Sequence, residues 1–387
     1  MKKCYLDNAA TSFPKPPVLA DSIYRYLTEI GSNINRGGYE SAYQAEDAVF
    51  TCRERLCRLF HGDDPKNAVF TQNVTMSLNL LLKGLLHPGD HALVSSMEHN
   101  AVMRPLTQLA KQGVEFSRIP ADRNGRMELS ALPALKRANT RLLVCTHASN
   151  VNGAIQPIEA LGRFCREQGI LFLLDSAQSA GVLDIDMARD SIDGLCFTGH
   201  KGLLGPQGIG GFLLREGLAG EIEPLLSGGT GSLSHTEEVP DFMPDRFEAG
   251  TLNLPGIYGL NASLTWLEQT GLATIRSRET ALCERFLLGI RGLPGLRLIG
   301  REGGSTEYLA VVSLQFPGRD PAEIAYRLDS EFGIATRVGL HCAPIAHRTL
   351  GTYPEGTLRF SFGYFNTEKD IDYAIQAIRG LCEGHRA

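Results

Sequence analysis

The sequence lacks any apolar run long enough to cross a bilayer among its 387 residues. Its opening stretch, MKKCYLDNAATSF, turns polar too early for a secretory signal peptide, so we expect a cytoplasmic protein. The sequence also lacks an excess of positive charge. With a formal net charge of −5, it offers no electrostatic reason to bind nucleic acid or an anionic membrane surface.

The sequence has no CxxC pair and no cysteine–histidine spacing typical of a zinc site, so we expect no bound metal. Its nine cysteines are scattered, which is typical of a reducing compartment rather than of a disulfide framework. Cys145 and Cys196 lie inside apolar runs, where a free cysteine acts as a small buried hydrophobe. We expect all the cysteines except Cys342 to be structural.

Apolar runs and helical patterns alternate between residues 65 and 215. Seven runs favour strands: AVFT (68–71), HALVSS (91–96), VEFSRI (114–119), RLLVCTH (141–147), ILFLLD (170–175), GLCFT (194–198) and GGFLLR (210–215). Several are continuously apolar, which predicts strands buried on both faces. Helical patterns lie between most of them, at 75–86, 100–112, 129–138 and 158–168. This alternation predicts a mainly parallel sheet with helices on both sides.

The remainder of the chain has a different rhythm. A polar, glycine-rich stretch at 227–256 is too long for a plain connection, and such loops often form sites. A helical region at 257–292 follows it. The last segments predict a small α+β domain, with strands at 308–316, 334–338 and 357–362 and helices at 320–331 and 367–381.

Two ionisable residues end neighbouring strand candidates. Asp175 closes the run ILFLLD, where it could cap the next helix or face a ligand, since ligands of open parallel sheets bind beyond the carboxyl ends of the strands. Lys201 follows GLCFT in a glycine-bracketed turn, where a surface lysine is the commoner case but a reactive amine has to be reachable. Together they meet two needs of a pyridine-aldehyde cofactor: an anion at the ring nitrogen and an imine-forming amine.

A phosphate site is the third need of such a cofactor. The segment from Thr71 to Thr75 follows the strand AVFT and opens a helix, and helix N-termini bind phosphate through free backbone N–H groups. The same residue types are also ordinary N-caps, so this segment alone indicates little.

Taken together, these segments resemble the class V aminotransferase family and, within it, the cysteine desulfurases and selenocysteine lyases. The resemblance runs nearly end to end through an ordered series of motifs: Leu6 to Thr11, Asn35 to Gly37, Glu98 to Asn100, Ser149 to Val151, Asp175 to Gln178, Gly199 to Lys201, Phe247 to Thr251, Arg337 to Cys342 and Thr357 to Arg359. It implies pyridoxal 5'-phosphate (PLP) as cofactor and the α/β architecture called PLP fold type I. A large domain (17–256) with a seven-stranded sheet would be joined by a small α+β domain (1–16 and 257–387).

The resemblance also implies a role for each matching residue. Lys201 would carry the cofactor as a Schiff base and move the Cα proton of the substrate, and His99 would stack on the ring and take part in proton transfer. Further cofactor residues would be Asp175 at the ring nitrogen, Gln178 near the ring hydroxyl, Thr75, Thr198 and His200 at the phosphate, and Thr251 reaching the phosphate from the second subunit of a homodimer. The substrate carboxylate would be held by Asn150, Arg359 and Arg36.

Each of these residues also has an ordinary structural interpretation. His99 could cap the helix that follows it, His200 could be a loop histidine, and Arg359 could form a surface ion pair of little value. However, Arg359 lies in the strand-like run TLRFSFG, where an arginine should be partly buried and therefore needs an anion. A carboxylate bound in bidentate fashion meets that need.

Cys342 lies in the polar, turn-like segment RVGLHCAP, beside His341 and near Arg337 and His347. Positive neighbours lower the pKa of a thiol and raise its thiolate fraction. The residues alone favour an incidental exposed cysteine, whereas the resemblance matches this position to the sulfur-accepting cysteine of desulfurases with a short cysteine segment. It then implies that L-cysteine becomes L-alanine, that a persulfide forms on Cys342, and that the sulfur passes to an acceptor protein or small thiol.

Three residues depart from those common in the family: Leu340, Asn35 and Met76. They leave open whether L-cysteine or L-selenocysteine is the substrate and which thiol accepts the sulfur. The alternative function is therefore a selenocysteine lyase, or another β-eliminating lyase or aminotransferase that uses the same cofactor site.

Two alternatives lie outside this cofactor chemistry. The glycines from Gly205 to Gly211 could be taken for the dinucleotide loop of a dehydrogenase, but they precede a strand, whereas a dinucleotide loop follows a strand and opens a helix. A catalytically idle scaffold is the other, and the presence of Lys201, Asp175 and Arg359 disfavours it.

Overall fold

A computed structural model describes residues 3–35, 37–302 and 304–383. The described strands are β1 (Cys4–Tyr5), β2 (Ala68–Thr71), β3 (His91–Ser95), β4 (Glu115–Ile119), β5 (Thr140–Thr146), β6 (Leu171–Asp175), β7 (Gly194–Thr198), β8 (Gly210–Leu214), β9 (Arg297–Leu298), β10 (Val311–Gln315), β11 (Ile334–Ala335), β12 (Arg337–Gly339) and β13 (Thr357–Ser361). The described α-helices are α1 (Pro17–Arg25), α2 (Glu40–Phe60), α3 (Val74–Leu85), α4 (Asn100–Ala110), α5 (Leu132–Leu135), α6 (Ile158–Gln168), α7 (Leu254–Thr270), α8 (Leu272–Ile290), α9 (Pro321–Phe332), α10 (Pro344–Thr349) and α11 (Glu368–Glu383). Within the described ranges, no helix combines the length and apolar character needed to cross a membrane.

The large sheet has seven strands in the order β2-β8-β7-β6-β5-β3-β4. β8 is antiparallel to both of its neighbours, and the remaining neighbouring pairs are parallel. Each of the seven strands coincides, within one or two residues, with one of the predicted apolar runs. The predicted fold class, a mainly parallel seven-stranded sheet flanked by helices, is therefore confirmed.

Both faces of the large sheet are covered by helices, which explains why its strands are continuously apolar. In β5, Leu143 and Cys145 belong to the core formed with α2, α6 and α7. Leu142 and Val144, which point the other way, belong to the core formed with α3 and α4. The alternation of side chains along a strand thus places successive residues in two separate cores.

The second part of the fold has a small antiparallel sheet in the order β12-β13-β10-β9. β1 pairs in parallel with β11 beside it, so the N-terminal residues lie next to the C-terminal part of the chain. A separate core between this sheet and α8, α9 and α11 includes Phe286, Ile324, Phe360 and Ile378. Arg359 of β13 lies at the centre of this sheet, paired with Arg337 of β12 on one side and Ser313 of β10 on the other.

The helical region predicted at 257–292 consists of two helices, because the chain turns at Gly271 with a positive φ of 83°. α7 contacts α1 and α2, and its residues Leu260 and Leu264 belong to the core of the large sheet. The predicted domain boundary at residue 256 falls inside α7. We propose that the division lies instead after α7, since α8 contributes most of its buried residues to the core of the small sheet.

The segment 227–253, all of it described, contains neither helix nor strand, as its composition predicts. A buried ion pair between Arg53 of α2 and Glu248 ties it to the large sheet. Arg53 Nη2 lies 2.6 Å from Glu248 Oε2, and the backbone N–H of Phe70 in β2 donates to Glu248 Oε1 at 2.6 Å. This anchor fixes the end of the segment that carries Thr251.

Candidate active site

Asp175 and Lys201 lie at the carboxyl edge of the large sheet. Asp175 ends β6 and is 2% exposed, and its Oδ1 accepts a hydrogen bond from the backbone N–H of Ala177 at 2.9 Å. Burial raises the pKa of Asp175, while this hydrogen bond and the positive charge of Lys201 act against the rise. The carboxyl group therefore has one satisfied oxygen and a cationic neighbour.

Lys201 follows β7 by three residues and is half-buried. The pKa of Lys201 is lowered to about 8, chiefly by burial; the carboxylate of Asp175 opposes this shift, and the positive charges of Arg359 and Arg337 add to it. β6 and β7 are neighbouring strands, and Asp175 and Lys201 affect each other's pKa values, so the two residues share one site. A lysine with a lowered pKa has a larger share of free amine at neutral pH, as an imine-forming lysine requires.

His99 both caps α4 and faces this site. Its Nδ1 accepts a hydrogen bond from the backbone N–H of Ala101 at 3.0 Å, so the neutral ring carries its proton on Nε2. Burial lowers the pKa of His99 to about 4, and the positive charges of Lys201 and Arg104 contribute. The ring is therefore neutral at physiological pH, which suits stacking against a cationic aromatic group. The structural interpretation of His99 as the cap of α4 is confirmed. Its role against the cofactor ring stays a prediction.

The residues predicted for phosphate binding meet where β2 and β7 end on either side of β8. Thr71 and Thr198 are both paired with Gly210, so α3, which starts just after Thr71, begins near the end of β7. Thr75 is exposed in the first turn of α3. Thr198 is 2% exposed, and its Oγ1 has no hydrogen-bond partner in the described structure. The same is true of His200 Nδ1, and burial lowers the pKa of His200 to about 4.

Arg359 is 2% exposed, as expected for its strand, but its anion is a residue of the protein. Its Nη2 donates to Asp7 Oδ1 at 2.7 Å, and its Nη1 donates to the backbone oxygen of Asn150 at 2.9 Å. The Nε–H of Arg359 remains without a partner among the described residues. This buried donor is therefore left unsatisfied by the described residues.

The backbone oxygens of His341 and Cys342 both accept hydrogen bonds from other parts of the fold. The side-chain amide of Asn150 donates to the backbone oxygen of His341 at 2.7 Å, and the backbone N–H of Asn100 donates to that of Cys342 at 2.8 Å. His341 and Cys342 both have positive φ angles, 47° and 56°, which side chains other than glycine seldom adopt. All nine cysteines are described, and only Cys342 is exposed. Asn100, which binds the backbone of Cys342, directly follows His99, so Cys342 borders the same site.

Two histidines lie beneath the cysteine. The rings of His341 and His347 are 5.5 Å apart, and both residues are buried. Burial lowers the pKa of His341 well below its usual value and that of His347 to about 4. The expectation that these histidines add positive charge beside the thiol is therefore wrong, because buried imidazoles stay neutral. Arg337 is the exposed cation of the segment.

Gln178 lines the same cavity as Lys201, whereas Thr251 stands apart from this group. Gln178 is 9% exposed, and its side-chain amide donates to the backbone oxygen of Ala9 at 3.0 Å. Thr251 is exposed in a surface cavity of about 420 Å³ that Asn35 and Thr230 also line. Arg36, predicted to bind the substrate carboxylate, lies outside the described residues.

Glu98 is a buried acid at the site to which the sequence analysis gave no role. It is fully buried, and its Oε1 accepts hydrogen bonds from the backbone N–H of Thr146 at 2.7 Å and from the hydroxyl of Ser95. Burial raises the pKa of Glu98 to about 8, and the charge of Asp175 adds to this. A carboxyl group directly before His99 was the only sequence signal for it.

The N-terminal segment was also missed as a source of contacts. Asp7 pairs with Arg359, and Ser12 and Lys15 bind the backbone of the turn that carries Lys201. The resemblance includes Leu6 to Thr11, but the sequence gave no indication of the partners of this segment, which are nearly two hundred or more residues away.

A model of the family described as aminotransferase class-V matches residues 4–374. The chain belongs to the class V aminotransferase family. It is 32% identical over 384 residues to a Methanothermobacter thermautotrophicus protein named probable cysteine desulfurase, covering 97% of this chain and 95% of that protein. A longer protein of Mycolicibacterium paratuberculosis with the same name is 33% identical over 387 residues, covering 98% of this chain and 55% of that protein.

Solved structures agree with this membership. An apo structure of cysteine desulfurase from Thermococcus onnurineus superposes with a TM-score of 0.91 at 31% identity, covering 99% of this chain and 95% of that one. Class V aminotransferases of this type depend on PLP, and the residues of this family member fit that cofactor. Asp175 offers a carboxylate to the ring nitrogen, and Lys201 offers an amine with a lowered pKa. The unpartnered Thr198 Oγ1 and His200 Nδ1 can donate to a phosphate.

Proposed function

We propose that this protein is a PLP-dependent cysteine desulfurase that converts L-cysteine to L-alanine and takes the substrate sulfur as a persulfide on Cys342. The observation that carries the proposal is the position of Cys342. It is exposed, its backbone is held by Asn100 and Asn150, and it borders the site that contains His99 and Lys201. A transaminase or a simple β-eliminating lyase has no need of a thiol at this position.

In the proposed mechanism the cofactor, when bound, supplies an electron sink for the bonds broken at the substrate. Lys201 holds the cofactor and then, as a free amine, takes the proton from Cα of the substrate. Its lowered pKa of about 8 favours this base role. Asp175, as an anion, would keep a proton on the ring nitrogen. His99, neutral and fixed by its cap hydrogen bond, would stack on the ring.

The substrate and the phosphate are held by separate residues in this proposal. Arg359 binds the substrate carboxylate through its free Nε–H, while Asp7 and the backbone of Asn150 keep the guanidinium in place. Thr198 and His200 donate to the phosphate through their unpartnered atoms, and Thr75 joins them from the first turn of α3. The side-chain amide of Asn150 also donates to the cysteine segment, and its predicted contact with the substrate carboxylate stays a prediction.

The sulfur transfer uses Cys342 as a nucleophile. Its thiolate attacks the sulfur of the substrate, so that a bond forms between the two sulfur atoms and the bond from Cβ to sulfur breaks. The electron pair of the broken bond stays on the carbon, where protonation completes the methyl group of alanine. The outer sulfur then passes to an acceptor thiol, which regenerates Cys342. Such regeneration fits the reducing conditions of the cytoplasm.

An L-cysteine turnover assay that compares the wild type with Cys342→Ser tests this function. We expect the substitution to abolish alanine and sulfide production, because serine cannot accept sulfur, while the visible absorbance of bound cofactor stays unchanged. Cys382→Ser is the matched control, since Cys382 is the half-buried cysteine at the far end of α11. Unchanged turnover of L-cysteine by Cys342→Ser would contradict the proposal and favour direct elimination or transamination.

We further propose that the active protein is a symmetric homodimer in which Thr251 reaches the phosphate of the second subunit. Within one chain, Thr251 lies with Asn35 and Thr230 rather than with the phosphate residues. Large apolar side chains are exposed in the N-terminal helical part of the chain. Tyr24 of α1, Leu27 in the π-helical turn that follows α1, and Tyr43 of α2 are 68%, 62% and 59% exposed. Exposed apolar groups of this size are typical of surfaces that associate.

A further inference from the structure

Lys15 is a cation without an anion. Its half-buried Nζ donates to the hydroxyl of Ser12 at 2.7 Å and to the backbone oxygen of His200 at 2.8 Å. No carboxylate of the described residues lies within ion-pair distance of Lys15. Burial lowers the pKa of Lys15 to about 8. Burying a charge costs free energy unless an opposite charge is near, so the position of Lys15 calls for an anion.

The neighbours of Lys15 indicate where that anion binds. His200, whose backbone it holds, has an unpartnered Nδ1, and the positive charge of Lys15 is close enough to act on the His200 ring. Thr198, two residues earlier, has the unpartnered Oγ1. Both atoms are among the predicted phosphate donors. These donors and Thr75 are neutral at physiological pH, so they bring no full positive charge to a phosphate dianion.

We propose that Lys15 is a further cofactor-binding residue, whose ammonium group supplies the positive charge that balances the phosphate of PLP. The inference rests on the phosphate residues of the proposed function and not on the reaction that follows. It assigns the Lys15 ammonium to the phosphate alone, with no part in the proton transfers at Lys201.

In a second interpretation, Lys15 is only a clamp, meaning that it does no more than hold the turn of His200 and Lys201 in place through hydrogen bonds. The backbone oxygen of His200 also accepts from Thr11 Oγ1 at 3.1 Å and from the backbone N–H of Ser12 at 3.0 Å, and Ser12 Oγ donates to the oxygen of Lys201 at 2.9 Å. A clamp would act on every ligand of the turn, whereas a phosphate counter-charge acts only on ligands that carry a phosphate. This difference separates the two interpretations.

The test compares the affinities of the cofactor-free protein for PLP and for pyridoxal, which lacks the phosphate. Both affinities are measured by absorbance titration. For Lys15→Met we expect PLP to bind about tenfold more weakly, with pyridoxal affinity unchanged. Lys15→Arg should keep the PLP affinity, because it keeps the charge. Higher ionic strength should reduce the difference in PLP affinity between Lys15→Met and the wild type. The phosphorus resonance of bound PLP should titrate at higher pH in Lys15→Met than in the wild type.

Two further variants complete the test. Lys66→Met, at an exposed lysine before the amino end of β2, is the control for loss of a positive charge elsewhere. Ser12→Ala weakens the hydrogen bonds that hold the turn but keeps the ammonium group of Lys15. We therefore expect Ser12→Ala to preserve the ratio of PLP affinity to pyridoxal affinity. This measurement does not depend on the folding of Lys15→Met. Equal losses for both ligands, an unchanged PLP affinity in Lys15→Met, or a ratio lowered equally by Ser12→Ala would each overturn the proposal.

Discussion

Burial decides the charge of the individual site residues. His99, His200 and His347 are neutral because their surroundings exclude water, and Lys201 has its pKa lowered to about 8 for the same reason. The negative charge of Asp175 acts in the opposite direction and raises the pKa of Lys201. The sequence identifies each of these residues, but the order of residues along the chain does not indicate their protonation states.

The pKa of Lys201 leads to a prediction about cofactor loading. Only the free amine forms an imine, so the rate of PLP incorporation into cofactor-free protein should rise with pH through a midpoint near 8 rather than near 10.5, the ordinary value for lysine. Stopped-flow absorbance across pH measures this rate. In Asp175→Asn the opposing negative charge is gone, so the midpoint should move to lower pH. A midpoint in the wild type above pH 10 would contradict the assignment.

Glu98 leads to a prediction about stability. Its pKa is raised from 4.5 to about 8, so the folded state keeps a proton that the unfolded state loses between those values. The contribution of Glu98 to stability therefore falls as pH rises through that window. Relative to the wild type, Glu98→Gln should gain free energy of unfolding between pH 5 and 8, because an amide does not titrate. Urea unfolding at several pH values measures the difference, and a constant difference would show that Glu98 is ionised in the folded protein.

At the scale of the elements, strand ends and helix starts position the site. β6 and β7 end at Asp175 and Thr198, and α4 begins directly after His99, which caps it. Helix caps and strand ends are local features with sequence signals, so the sequence analysis located these residues correctly. The Cys342 segment differs, since its position depends on hydrogen bonds from Asn100 and Asn150 of the large sheet's connections.

The segment 227–253 leads to a prediction at this scale. Its anchor is the buried pair of Arg53 and Glu248, whose side chains are each 6% exposed. Glu248→Ala leaves a buried guanidinium without its carboxylate and should lower the free energy of unfolding by roughly 3 kcal/mol. Hydrogen exchange should rise specifically in residues 227–253. Glu268→Ala, which removes a more exposed partner of Arg55, is the control and should cost less than about 1 kcal/mol. Equal costs for the two variants would count against the anchor.

At the scale of the whole molecule, the site is assembled from both parts of the fold. Asp175 and Lys201 come from the large sheet, whereas Arg359 and Cys342 come from the small sheet and the turn beside it. The N-terminal segment connects them, because Asp7 binds Arg359 while Ser12 binds the turn of Lys201. Arg359 and the turn that carries Lys201 are therefore connected through one N-terminal segment.

The proposed dimer leads to a prediction at this scale. The protein should sediment as a dimer, and Thr251→Ala should retain PLP less tightly than the wild type, by several-fold, since one phosphate contact is lost from the other subunit. Thr230→Ala, in the same surface cavity but without a predicted phosphate contact, is the control. A monomer that binds PLP with undiminished affinity would rule out the role of Thr251.

The sequence by itself determined the seven strands of the large sheet and the placement of Asp175 and Lys201 at its carboxyl edge. Those features follow from apolar patterning and from the geometry of parallel strands, which are local or regular. The tertiary structure alone decided the partner of Arg359, the neutrality of the histidines below Cys342 and the isolated charge of Lys15. Each of these depends on contacts across the fold, such as that between Asp7 and Arg359, which are 352 positions apart, and sequence order does not specify such contacts.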